Sequence, residues 1–137
     1  MLRSLLVASA AALLVSAPVH AAAQVGTPAV KSIEAIAFGP DGLLLIGDGR
    51  GAQVVTVETG DTTPRDWKIK EIADIKGQLA GRLGTMAKGI EIKKIAVNPA
   101  SRTAYIAVRK LDGKNDIILT VTGDGKIGEF ALEKVKH

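Results

Sequence analysis

The chain has 137 residues, a formal charge of +4, no cysteine, and one Trp, one Tyr and two Phe as its aromatic residues. The missing thiols exclude disulfide staples, thiolate nucleophiles, zinc–thiolate sites and covalent c-type haem attachment. The scarce aromatics disfavour stacked sugar and single-stranded nucleic-acid sites, and the scattered Lys and Arg form no basic stripe, so no nucleic-acid partner is expected.

In chain order, Arg3 comes first, then the apolar run Leu5–Ala17, then Pro18, Val19, His20 and the small residues Ala21, Ala22 and Ala23. This is the charged start, apolar middle and small-residue exit of a secretory signal peptide over residues 1–23. The apolar run falls short of the roughly 20 residues that cross a bilayer. Cleavage fits after Ala21 or after Ala23. No membrane-spanning segment is then expected in the mature chain, which is placed in the periplasm or outside the cell. Removing residues 1–23 leaves 114 residues, 24–137, enough for one small core.

The mature part carries an internal repeat. Ile33-Glu34-Ala35-Ile36-Ala37-Phe38-Gly39-Pro40 is matched by Ile92-Lys93-Lys94-Ile95-Ala96-Val97-Asn98-Pro99, 59 residues later. Leu44-Leu45-Ile46 then corresponds to Ala104-Tyr105-Ile106, with one extra residue in the second turn. Val54-Val55-Thr56-Val57 corresponds to Ile118-Leu119-Thr120-Val121. Each run ends in Thr-Gly-Asp, at 59–61 and at 122–124. The runs are short, rich in Val, Ile and Leu, and punctuated by Pro-Asp-Gly and Gly-Asp-Gly-Arg-Gly, as strands joined by turns should be. Pro40-Asp41-Gly42 predicts a hairpin between the first two strands. The nearly continuous apolar character predicts burial on both faces.

Repeat one is expected over about residues 33–72, with Trp67–Ile72 alternating as its outer strand. Ile72, Ile75, Leu79, Leu83 and Met86 then share one face of a helix at about 74–84, with Asp74 as cap and Gly84 as stop. Gly77 and Gly81 each cost this helix about 1 kcal/mol against alanine, so it must be held by packing. Repeat two is expected over about 92–135, with Lys126–Val135 as its outer strand.

Ala37-Phe38-Gly39-Pro40-Asp41-Gly42-Leu43-Leu44-Leu45-Ile46-Gly47-Asp48 resembles the strand–turn–strand string that recurs once per blade in NHL-type and gluconolactonase-like β-propellers. Ala96–Ile106 resembles the variant found in secreted propeller repeats. The resemblance implies a mainly β fold of two propeller-like blades, three to four short antiparallel strands each, with one short intervening helix. Propellers of this class have four or more blades, and this chain offers two. Two blades leave apolar faces and strand edges uncovered. Three arrangements follow: a fragment or truncated member of a longer propeller, a ring of two-blade chains, or a compact sandwich with the helix as a lid.

The chemistry-bearing residues are few. Gluconolactonase-like propellers hold a divalent metal in their central channel, which makes Asp48 the metal-ligand candidate and a cation such as calcium the possible cofactor. Asp41, Asp61, Asp112, Asp116 and Asp124 all fall at expected turns, and Asp112–Asp116 is only part of a calcium loop. The histidines are His20 and His137, neither placed to serve as the base of a Ser-His-Asp triad. Trp67 is the ligand-stacking candidate. The expected function is a non-enzymatic binding or structural module, with a protein partner or self-association through its exposed faces. The alternatives are the remnant of a metal-dependent lactonase or esterase propeller, tested at Asp48, and an oligomeric two-blade lectin, tested at Trp67.

Overall fold

The computed structural model describes residues 22–66 and 70–137. The expected signal peptide lies outside the described residues apart from the exposed Ala22 and Ala23. Trp67 also lies outside them.

After a short strand β1 (Val25–Gly26), the first repeat folds as a meander of β2 (Ala35–Phe38), β3 (Leu43–Asp48) and β4 (Gln53–Glu58). Pro40 opens the β2–β3 turn, and Gly42 closes it at φ 71°. A Cβ at Gly42 would lie 3.1 Å from Thr59 Oγ1, so the backbone angle favours glycine there and the space beside it is tight. Gly42 O also accepts hydrogen bonds from the Thr59 amide and hydroxyl, tying the turn to the end of β4. The second repeat folds as β5 (Ile90–Val97), β6 (Ala104–Lys110), β7 (Asn115–Val121) and β8 (Ile127–Phe130), one four-stranded antiparallel sheet.

The strand registers of the two repeats coincide. Phe38 faces Leu44, which faces Val57; at the matched positions Val97 faces Ala104, which faces Val121. Ile36, Ile46 and Val55 are in line, as are Ile95, Ile106 and Leu119. The extra residue of the second copy lies in the β5–β6 turn, between Val97 and Ala104, and β5 also carries a bulge between Ile92 and Lys94. The bulge keeps Ile90, Ile92, Ile95 and Val97 on one face, which strict alternation would have split.

The sheets stack around Leu44, Ile46 and Val57 of the first and Tyr105, Ala107 and Ile118 of the second. Tyr105 packs edge-on between Phe38 and Phe130, with ring centroids 4.9 Å and 5.5 Å away. Burying side chains of this size is worth about 1.5–3 kcal/mol each. The contributing positions are not equivalent in the two repeats. Tyr105, Ala107 and Ile118 correspond to Leu45, Gly47 and Val54, which lie on the opposite face of the first sheet. The sheets therefore stack head to tail, front of one on back of the next, rather than about a twofold axis.

The front of the second sheet is covered by α1 (Ile75–Arg82), whose Leu79 and Ala80 are buried against Ile90, Ile106, Val108, Leu119 and Val121. Asp74 caps α1 by accepting the Gly77 amide at 3.1 Å. A Cβ at Gly77 would collide with the Asp74 carboxylate, so the glycine that weakens the helix interior admits its cap.

Two sequence expectations are corrected. Of the expected outer strand Trp67–Ile72, residues 70–72 are described and are not strand. The outer place in the first sheet goes to β9 (Val135–Lys136), which pairs with β4 and β1 in the order β1-β9-β4-β3-β2. The expected outer strand Lys126–Val135 is thus divided: β8 stays with the second sheet and Val135 crosses to the first. Alternation assigns a face to each residue and is silent about which edge a strand joins. The second correction concerns burial. β6 and β7 are covered on both faces, whereas β2, β3 and β4 are covered on one.

Candidate functional site

Asp48 ends β3 with its side chain turned to the covered face, 1% exposed. Its Oδ1 accepts the Ser32 amide at 2.9 Å, the Ser32 hydroxyl at 3.1 Å and the Gly51 amide at 2.8 Å. Its Oδ2 accepts the Lys31 amide at 2.8 Å and the Gln53 side-chain amide at 3.1 Å. The Lys31 amide, with Gly51, Gln53 and Ser32, outweighs burial and holds the carboxyl far below the usual carboxylate range. Both oxygens thus serve the strap leading into β2 and the Gly49–Gly51 turn. Among the described residues, no three His, Cys, Asp or Glu side chains are grouped so as to hold a metal ion.

Two other turn acids, Asp61 and Asp116, are also tied into the framework. Asp61 leaves the first repeat and reaches the second hairpin. Its Oδ2 accepts the Ser101 hydroxyl, the Asn98 side-chain amide at 3.2 Å and the Tyr105 hydroxyl at 3.3 Å. Burial, reinforced by the Asp61 charge, pushes the Tyr105 phenol up to about 12. Asn98, fully buried, also donates to Asp61 O at 2.6 Å and accepts the Ala100 amide at 2.9 Å.

At the opposite end, Asp116 accepts Arg109 Nε at 2.7 Å and Nη2 at 2.9 Å, and the Ile33 amide at 2.7 Å. Burial opposes its charge, but Arg109 and the Ile33 amide prevail and lower its pKa. Glu34 joins this network through Lys93 at 2.5 Å and Arg109 at 3.5 Å. Glu34 and Lys93 occupy matched repeat positions, so the ion pair links the repeats at one point of their register. The partial calcium-loop string is therefore divided: Asp116 is bound to Arg109, and the exposed Asp112 lies 3.4 Å from Lys110.

An open cleft of about 420 Å³ lies where three turns meet, lined by Arg65, Asp66, Arg102 and Asp124 among others. Its two cations and two anions balance, so no net field selects a charged ligand. No buried side-chain polar atom among the described residues lacks a hydrogen-bond partner. These clusters are consistent with a framework role: Asp48 and Asp116 hold backbone amides, and Asp61 holds the side chains of Asn98, Ser101 and Tyr105.

What is left unmatched is apolar. On the outer face of the first sheet Ala35, Ala37 and Val54 are exposed and Leu43 and Leu45 half-buried, with Val54 67% exposed. On the front of the second sheet, beyond the reach of α1, Ile95 is 59% and Val97 43% exposed. Sequence reasoning anticipated uncovered faces without naming these residues. The alternation along β3 and β4 separates the two faces, but nothing local says which one is covered. No helix among the described residues is long and apolar enough to cross a membrane. In comparisons with known proteins, no family model, no curated protein and no solved structure matches this chain.

Proposed function

We propose that this chain is an exported, non-enzymatic binding or structural module of β-propeller type, a truncated member or fragment of a longer propeller family, acting by association through the outer face of its first sheet. The carrying observation is that face: Ala35, Ala37, Leu45 and Val54 form an apolar surface with no layer over it among the described residues. Apolar patches of this kind mark association sites more often than chance. The propeller reading is supported by the repeat string and by the shared register and head-to-tail stacking of the two sheets. The non-enzymatic reading is supported by the engagement of Asp48 and Asp116 with backbone amides and of Asp61 with the side chains of the second hairpin. Export rests on residues 1–23.

A photo-crosslinking residue at Val54, introduced into the full chain in its own cells, should give discrete protein adducts, while one at the exposed Asp112 should give none. No adduct at Val54 overturns the reading. The recovered protein should begin at Ala22 or Gln24 on N-terminal sequencing; retention of Met1 would overturn export.

A further inference from the structure

We infer that the occupant of the outer face is a second copy of this chain, docked head to tail through the Ile95 and Val97 end of its second sheet. This rests on the association reading above and names its partner. The template for the contact is inside the molecule. Where the two sheets meet, the front of the first sheet presents Ile36 and Phe38 toward Tyr105, Ala107 and Ile118 on the back of the second. Each of these residues has a counterpart one repeat away. The counterparts of Tyr105, Ala107 and Ile118 are Leu45, Gly47 and Val54, on the uncovered back of the first sheet. The counterparts of Ile36 and Phe38 are Ile95 and Val97, the exposed apolar residues at the front of the second sheet.

Part of each half of the next contact is therefore apolar and uncovered, at opposite ends of the stack, while the counterparts of Leu44, Ile46 and Val57, which are Ala104, Ile106 and Val121, lie under α1. One chain cannot bring the uncovered parts together, but two chains can. α1 confines this arrangement to the exposed end of β5. It lies over Ile90 of β5 and over Ile106, Val108, Leu119 and Val121 of the central strands β6 and β7, and leaves β5 open at Ile95 and Val97. The contact between chains swaps the Phe38–Tyr105 ring pair for Val97 against Leu45, which buries less surface. The association is accordingly weaker than the internal stacking and depends on concentration. Because the two surfaces differ, the contact is heterologous, and repetition builds a ring or an open filament.

The test is the solution mass of the protein expressed from its full reading frame, measured by analytical ultracentrifugation over a concentration series. Wild type should shift to species larger than a monomer. Val54→Glu and Val97→Glu place a charge on opposite halves of the contact, at exposed positions where folding, checked by thermal melting, is retained. Each alone should weaken association roughly tenfold or more. Mixed together, they should form a one-to-one pair that grows no further, because each keeps the half that the other has lost. Ala37→Glu and Ile95→Glu provide a second pair of variants with the same expected outcome. A wild type that stays monomeric throughout overturns the inference, while adducts at Val54 to a different protein would leave the association reading standing. Loss of association in Val54→Glu but not in Val97→Glu would mean a twofold face-to-face dimer and also overturns it.

Discussion

At Asp48 a carboxylate is buried with no cation paired to it among the described residues, and it is stable there because amide and hydroxyl donors replace water on both oxygens. Its folded pKa is depressed, so its contribution is present above the unfolded value, near pH 4, and is lost as pH falls through the lower folded value. Glu34, Asp116 and Asp124 are lowered as well and act in the same direction. Thermal melts should therefore show stability declining below about pH 4. Asp48→Asn puts an amide donor against the Lys31 or Ser32 N–H and should lower Tm by roughly 10 °C at neutral pH. It should also flatten the acid decline; an unchanged acid profile would show that Asp48 is not its main source. Sequence made Asp48 visible as the acid ending a strand, but its partners Lys31 and Ser32 lie on the strap before β2. That contact depends on where the strap crosses, and no spacing rule encodes it.

The helix was legible as an element because Ile75 and Leu79 keep one face and Asp74 caps it; Ile72 before the cap and Leu83 after the last turn pack on the same cluster, whereas Met86, expected on that face, is exposed beyond the helix. Its two glycines make it dependent on the sheet beneath. Leu79→Ala should cost about 2–5 kcal/mol in chemical denaturation, more than a solvent-facing helix substitution such as Gln78→Ala. Equal effects would mean that α1 is not docked on β6 and β7. The strands were legible for the same reason, through short apolar runs between turn residues. Their repeat equivalence was legible too, and the coincident registers of the two meanders follow it. The β5 bulge was hidden, because Ile-Glu-Ile-Lys-Lys-Ile-Ala-Val breaks alternation at a place that only pairing with β6 resolves.

Across the whole molecule, the first sheet draws on both ends of the described chain. Gln24 and His137 exchange backbone hydrogen bonds at 2.7 and 2.8 Å, and β9 lies between β1 and β4. Val135 packs onto the cluster between the sheets, while Lys136 pairs with Glu58 at 2.9 Å on the surface. Val135→Asp should detach β9 and β1, seen as faster amide exchange at Gly26, Glu58 and His137. Lys136→Ala should change stability by less than about 1 kcal/mol, as exposed ion pairs do. If Val135→Asp leaves those amides protected, the closure is held elsewhere.

The sequence by itself determined the repeat, the turns, the mainly β class and the helix, because each is written in contacts within a few residues or in a matched string. Only the tertiary structure decided that the sheets stack front to back, that β9 borders β4, and that α1 covers one front while the other back stays bare. Those outcomes depend on which apolar face meets which, and all the faces are made of the same Val, Ile, Leu and Ala. Apolar attraction has no direction, so the choice among such faces is made by packing the whole chain at once.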